Sequence, residues 1–65
     1  MEKIINLVEK QSNGDGTVSL IAELCVYVDG VFSYHLSRSP FTFTDSMSDD
    51  EITQNLILGE YSIYY

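Results

Sequence analysis

The chain is poor in several residue types that carry chemistry or add stability in small proteins. It has one cysteine, so no disulfide can form within it, and one histidine, so a zinc site with several side-chain ligands is not expected. Tryptophan is absent, and no apolar run approaches the roughly 20 residues that cross a bilayer. The sequence therefore predicts no cofactor, no metal ligand and no membrane span.

Positive charge is also scarce. Lys3, Lys10 and Arg38 face ten acidic residues, which gives a formal net charge of −7. Affinity for nucleic acid and for anionic membranes depends on basic side chains, so direct binding to either is not expected. An acidic surface steers a protein toward basic surfaces of other proteins.

Length and composition indicate one small folded unit. The 65 residues are 45% hydrophobic and 20% charged, so we expect a single domain over residues 1–65. The first residues lack a basic stretch followed by a sustained apolar one, and Cys25 is unpaired. Both features favour a cytoplasmic location, which is the host cytoplasm or the virion if the source is viral.

Alternating apolar residues predict a β-meander. Apolar residues recur at every second position from Val18 to Val28, which is typical of a strand over 17–28. Turn signals at 12–16 and at Asp29-Gly30 separate it from strands over 4–10 and 31–36. Pro40 is expected to break the third strand, leaving 41–44 as a short extended segment.

A helix is predicted near the end of the chain. Ser48 and Glu51 form a capping-box pattern and Gly59 suits a helix end, so the helix should cover 49–58. Residues 61–65 look extended and are predicted to add a short fourth strand. The expected fold is α+β, a small antiparallel meander of three main strands, with that possible C-terminal strand and one helix packed on one face.

Both faces of the predicted sheet are apolar. Pairing across the Asp29-Gly30 turn places Val28 opposite Val31. An even-length loop at 13–16 places Ile5 and Leu7 beside the even-numbered residues of 17–28. The result is one aliphatic face and one aromatic face. The aromatic face should carry Ile4, Val8, Ile21, Cys25, Tyr27, Phe32, Tyr34 and Leu36. A ten-residue helix covers only one face, and the sequence leaves open which one. Residues 61–65, residues 41–43 or another protein chain are the candidates to cover the other.

The candidate chemical groups have structural explanations. Residues 13–17 match the middle of a calcium loop, but Gln11 and Ala22 stand where its first and twelfth positions need acids. Cys25 and His35 are predicted on opposite faces, so no nucleophile–base pair is expected. The acidic group around Ser48 either only caps the helix or also recognises a basic partner.

The sequence thus favours a non-enzymatic protein that binds another protein or itself, with a homo-oligomer expected. We interpret the chain as a small accessory or inhibitor protein of the bacteriophage type, which occludes a basic site on a partner protein. The alternative is a virion structural component, such as a cement, head-completion or tail protein, that self-associates. The candidate partner-binding residues are Tyr27, Phe32, Tyr34, Asp45, Asp49, Asp50, Glu51, Ile57, Tyr61, Tyr64 and Tyr65.

Overall fold

A three-stranded antiparallel sheet is followed by one helix, so the fold is broadly α+β and mostly sheet. The computed structural model describes all of residues 1–65. Its strands are β1 (Glu2–Ser12), β2 (Thr17–Val28) and β3 (Val31–Thr44), in the order β1-β2-β3. The helix α1 covers Asp49–Leu58, and a short 3₁₀ helix covers Ser62–Tyr64. The predicted bounds of β2 and α1 are confirmed.

The two hairpins form where the glycines allow tight reversals. Asp29 and Gly30 have φ values of 52° and 78°, the left-handed pair that a two-residue turn of type I′ needs. Val28 pairs with Val31 across this turn, as expected. In the first hairpin Ile5 pairs with Leu24, which confirms that it shares a face with the even-numbered residues of β2.

The third strand differs from its prediction in length and in register. It continues through Pro40, which pairs with Ile21. The expected break is therefore wrong, because β3 lies at the sheet edge, where a residue without an N–H is tolerated. Two irregularities shift the pairing between β2 and β3, so Val26 pairs with Tyr34 and Cys25 pairs with His35.

These shifts change which β3 side chains share a face. Residues directly opposite each other in an antiparallel pair lie on the same face, so Tyr34 lies on the face of Val26 rather than on the predicted aromatic one. Leu36, also placed on that face by the sequence, packs against the hydrophobic core. His35 and Cys25 share a face, which corrects the prediction that they lie on opposite ones.

We call the two sides of the sheet the even face and the odd face, after the residues of β2 that each presents. The core is on the even face and includes residues of α1 and the C-terminal segment. Its buried cluster comprises Leu20, Ala22, Leu24, Ile52, Leu56 and Tyr61. On the odd face of β2, Cys25 alone is buried.

Local interactions define both ends of α1. The Ser48 hydroxyl accepts a hydrogen bond from the Glu51 N–H at 3.2 Å, and the Glu51 carboxylate accepts one from the Ser48 N–H at 3.1 Å. The predicted capping box is therefore present. Gly59 ends the helix with a φ of −112°, so its left-handed freedom is not used there.

The C-terminal segment is not a fourth strand. The Tyr61 N–H donates to the Leu56 carbonyl at 2.7 Å, which folds the chain back at the end of α1. The Tyr64 N–H donates to the Tyr61 carbonyl three residues earlier, at 2.9 Å, as in a 3₁₀ helix. The Tyr61 hydroxyl donates to the Ala22 carbonyl at 3.2 Å. A buried tyrosine anchored to the central strand replaces the predicted edge pairing.

Candidate protein-binding surface

The turn between β2 and β3 presents apolar side chains to solvent. Val28, Val31, Phe32 and Tyr34 are all exposed, at 44%, 67%, 46% and 47%. We call these four residues the hairpin tip. The molecule measures 40 × 21 × 16 Å, so it is long for its width. An apolar group at the turn end of such a sheet is the kind of feature that marks a contact surface.

Aromatic packing continues from the hairpin tip onto the odd face. The rings of Tyr27 and Phe32 meet edge to face with centroids 5.8 Å apart, and Phe32 lies 5.0 Å from His35. Tyr27, Phe32 and Tyr34 are all among the predicted partner-binding residues. The register shift separates Tyr34 from the other two, so the aromatic side chains lie on both faces of the same hairpin. Sequence analysis missed Val28 and Val31, although their place beside the Asp29-Gly30 turn is visible in the sequence.

The acidic residues predicted to recognise a partner lie around the start of α1, and two of them are already engaged. Asp49 forms an ion pair with Lys10, whose Nζ lies 2.6 Å from Asp49 Oδ1. Glu51 is held by the capping box. Asp45 and Asp50 form no ion pair and are exposed. Glu51 and Asp49 thus have partners within the chain, while the Asp45 and Asp50 carboxylates form no ion pair.

The remaining candidate residues have unequal access to solvent. Tyr61 is buried in the core cluster, which leaves it no surface for a partner. Ile57 and Tyr64 are half-buried, and Tyr65 is 57% exposed with Lys3 Nζ 5.7 Å from its ring centroid. Leu58 and Ile63, which sequence analysis did not name, are the more exposed apolar residues of this end.

Three polar side chains meet on the odd face beside the aromatic pair. Glu23, Cys25 and His35 bring one ligand atom each within 4.8 Å of the others. Arg38 Nε donates to Glu23 Oε2 at 2.9 Å, and Arg38 also contacts Glu9 at 3.2 Å. Burial, together with the nearby Glu23 charge, raises the pKa of the Cys25 thiol, which keeps it protonated near neutral pH.

The surface around these groups has no cavity of ligand size. No helix has the length and apolar character that crossing a bilayer would take. The candidate site is therefore an open surface of exposed side chains on the sheet, not a pocket. No protein-family model, curated protein or solved structure matches the chain.

Proposed function

We propose that this protein is a small acidic binding module that docks its hairpin tip on a basic region of another protein and blocks access to it. The observation that carries the proposal is the exposed apolar tip, Val28, Val31, Phe32 and Tyr34, on a strongly acidic molecule. Interfaces combine such an apolar centre with a charged rim. An accessory or inhibitor protein of the bacteriophage type, working in the host cytoplasm by occlusion rather than by catalysis, has these properties.

The charge distribution supports a basic partner. Lys10 and Arg38 are both neutralised by acids within the chain, and Lys3 lies over the Tyr65 ring. Three of the ten acids contact Lys10 or Arg38, so seven have no such partner. Asp29 is one of these seven, and it occupies the turn of the hairpin tip itself. Complementary charge would speed encounter with a basic surface and fix its orientation.

The distribution of burial supports the use of the hairpin tip. We infer that α1 packs on the even face, since Ile52 and Leu56 share the core cluster with Leu24. The cluster includes no residue beyond Leu24 on β2, and Val28 at the end of that strand is exposed. Val28 and Val31 are thus outside the part of the sheet that α1 stabilises, and substituting them should leave folding largely intact. Tyr34 lies opposite the buried Val26, so circular dichroism verifies the fold of any variant at Tyr34.

Capture of partners with matched variants tests the proposal. The full chain is immobilised and exposed to a bacterial lysate, and the retained proteins are compared with those retained by Val31→Ser/Tyr34→Ser. The control, Leu58→Ser/Ile63→Ser, removes two exposed apolar side chains near the C-terminal end of the chain instead. We expect a basic protein that the tip variant loses and the control variant keeps.

Charge is tested separately on the same captured protein. Asp29 tolerates a positive φ of 52° in the turn, so Asp29→Asn keeps the turn chemistry while removing the charge. This variant should bind more weakly than the unmodified chain at low salt and equally at high salt. Equal retention by the tip variant and the control variant would contradict the proposal.

A second candidate, a self-associating virion component, is favoured by a different observation. Leu58, Ile63 and Tyr65 are all exposed near the C-terminal end, at 80%, 83% and 57%. Light scattering at two salt concentrations separates the two functions. A binding module gives the 7.4 kDa monomer. A structural subunit gives a larger species that is insensitive to salt, and Leu58→Ser/Ile63→Ser reduces it to monomer.

A further inference from the structure

The odd face carries a cluster of potential metal ligands that the proposed binding function does not use. Glu23, Cys25 and His35 supply a carboxylate, a thiol and an imidazole, all within 4.8 Å of one another. Glu23 Oε2 and His35 Nε2 are 3.7 Å apart. In a tetrahedral zinc site the ligand atoms lie about 3.3–3.6 Å apart, given metal–ligand bonds of about 2.0–2.3 Å. The separations within the cluster must therefore close by at most about 1.5 Å to reach that spacing.

The irregular pairing of β2 and β3 assembles this cluster. Cys25 pairs directly with His35, whereas Leu24 pairs with Ser37, so Leu36 is the extra residue between them. Regular pairing from the turn would place His35 opposite Leu24, on the even face with the core. The extra residue that prevents this is Ser33, between the Tyr27–Phe32 and Val26–Tyr34 pairs. It shifts the pairing by one residue and turns the imidazole to the odd face beside Cys25. Bulges are often found where a strand has to re-aim a functional side chain.

We propose that Cys25, His35 and Glu23 bind one divalent zinc-type ion on the odd face, with its fourth position open to solvent. Thiolate and imidazole ligands select borderline-soft ions such as Zn²⁺ and Co²⁺ over Mg²⁺ and Ca²⁺. The His35 side chain is 43% exposed, so an ion reaches the cluster from solvent. Binding replaces the proton on Cys25 Sγ by a metal–sulfur bond, and that proton passes to the buffer.

Two neighbours modulate the site in opposite ways. Asn6 Nδ2 donates to Cys25 Sγ at 3.5 Å, which favours the thiolate. Arg38 Nε donates to Glu23 Oε2 at 2.9 Å and places a positive charge beside the expected ion. Like charges repel, so Arg38 weakens metal binding while it holds the carboxylate in position. Arg38→Gln should therefore raise the affinity for the metal several-fold.

Titration of the full chain with Co²⁺ in a non-thiol reductant tests the site. We expect one ion per chain, a near-ultraviolet sulfur-to-cobalt charge-transfer band, release of one proton, and displacement of the band by Zn²⁺. Cys25→Ser should abolish the band, and His35→Asn should lower the affinity by about tenfold or more. Glu9→Gln is the control, because it removes the other acid on Arg38 without removing a ligand.

His35→Asn decides the outcome if Cys25→Ser fails to fold, because the imidazole is exposed and its loss leaves the core intact. Circular dichroism verifies the fold of each variant. The proposal is overturned if the unmodified chain shows no charge-transfer band. It is equally overturned if His35→Asn and Glu9→Gln bind Co²⁺ as tightly as the unmodified chain does.

Discussion

The two faces of the central strand differ in what happens to equally apolar side chains. Leu20 on the even face is 2% exposed, whereas its neighbour Ile21 on the odd face is only half-buried. Further along, Leu24 and Val26 on the even face are fully buried and Tyr27 on the odd face is not, with the small Cys25 as the one buried odd-face residue. Apolarity alone therefore does not decide burial in this sheet. The face that shares a cluster with α1 and Tyr61 becomes the core.

Several polar side chains meet on the odd face. The core contains no buried polar or charged side chain. Asn6, Glu23 and Arg38 lie on the odd face, where they meet through hydrogen bonds and solvent. One strand thus combines a side that stabilises the fold with a side that is free to carry binding chemistry. The following changes test that separation, from the largest expected effect to the smallest.

Truncation of neighbouring residues on β2 measures the difference between the faces directly. Leu20→Ala should cost about 2–5 kcal/mol, because it opens a cavity in the core cluster. Ile21→Ala should cost about 1 kcal/mol, through partial burial and the loss of a β-branched residue. Urea unfolding followed by circular dichroism gives both free energies. An equal loss of unfolding free energy in the two variants would show that the odd face is also covered in solution. The two faces would then not differ in burial.

The buried tyrosine tests the C-terminal side of the core. Tyr61→Phe removes the hydrogen bond to the Ala22 carbonyl and should cost about 1 kcal/mol at neutral pH. Burial raises the pKa of Tyr61 above its ordinary value of 10.0. The folded state thus holds this proton more tightly than the unfolded state, and the resulting stability is complete below pH 10 and lost as the pH rises through the folded pKa.

Unfolding experiments on the unmodified chain and Tyr61→Phe at neutral and alkaline pH measure this contribution. The unmodified chain should lose more stability in alkali than the variant does. Tyr27→Phe is the matched control, since it removes a tyrosine hydroxyl from the odd face, on the opposite side of the sheet from the core that holds Tyr61. An identical alkaline loss in all three chains would show that the Tyr61 hydroxyl is accessible to solvent in the folded state.

Removal of the helix cap measures how much the start of α1 contributes to the stability of the fold. A helix of ten residues is not stable alone, so its start and its packing support each other. Ser48→Ala removes the side chain that accepts from the Glu51 N–H and should cost about 1 kcal/mol. Ser46→Ala, just before the cap, should cost less than about 0.5 kcal/mol. Thermal unfolding of both variants checks this order.

The surface ion pair between β1 and α1 should contribute least. Lys10 and Asp49 meet at 2.6 Å, but their side chains are 42% and 63% exposed. Solvent screening therefore limits the pair to about 0.5 kcal/mol. Lys10→Gln should show this loss at low salt and none at high salt, as measured by urea unfolding at both. A larger loss that persists at high salt would mean that the pair is shielded from solvent.

Local signals made much of the fold predictable. The Asp29-Gly30 turn, the alternation from Val18 to Val28 and the Ser48 cap each depend on residues close together in sequence, and the structure contains all three. The pairing of Ile5 with Leu24 was also predictable. Next to the first loop Ser12 pairs with Val18, one residue away from the register that an even-length loop gives. The bulge between Val8 and Gln11 restores the predicted register for the rest of β1.

The departures have tertiary causes. A bulge changes register by one residue without a distinctive local sequence, so the side of the sheet taken by Tyr34 and His35 was not predictable from alternation. Pro40 stays in β3 because that strand has only one neighbour, which is a property of the whole sheet. Tyr61 is not extended because its ring packs in the buried cluster and its hydroxyl bonds to the Ala22 carbonyl. The Glu23–Cys25–His35 cluster was not predicted because the bulge in β3 moves His35 to the face of Cys25.

Interruptions in both outer strands have a consequence for the behaviour of the protein at high concentration. β1 has a bulge near Glu9, whose φ is 54°, and β3 has two register shifts and Pro40. β2, which both neighbours protect, reads as a regular strand from end to end. Long unbroken edges invite further strands to add and so nucleate aggregates. Here the irregularities that aim side chains also make each edge a poor template for fibril growth.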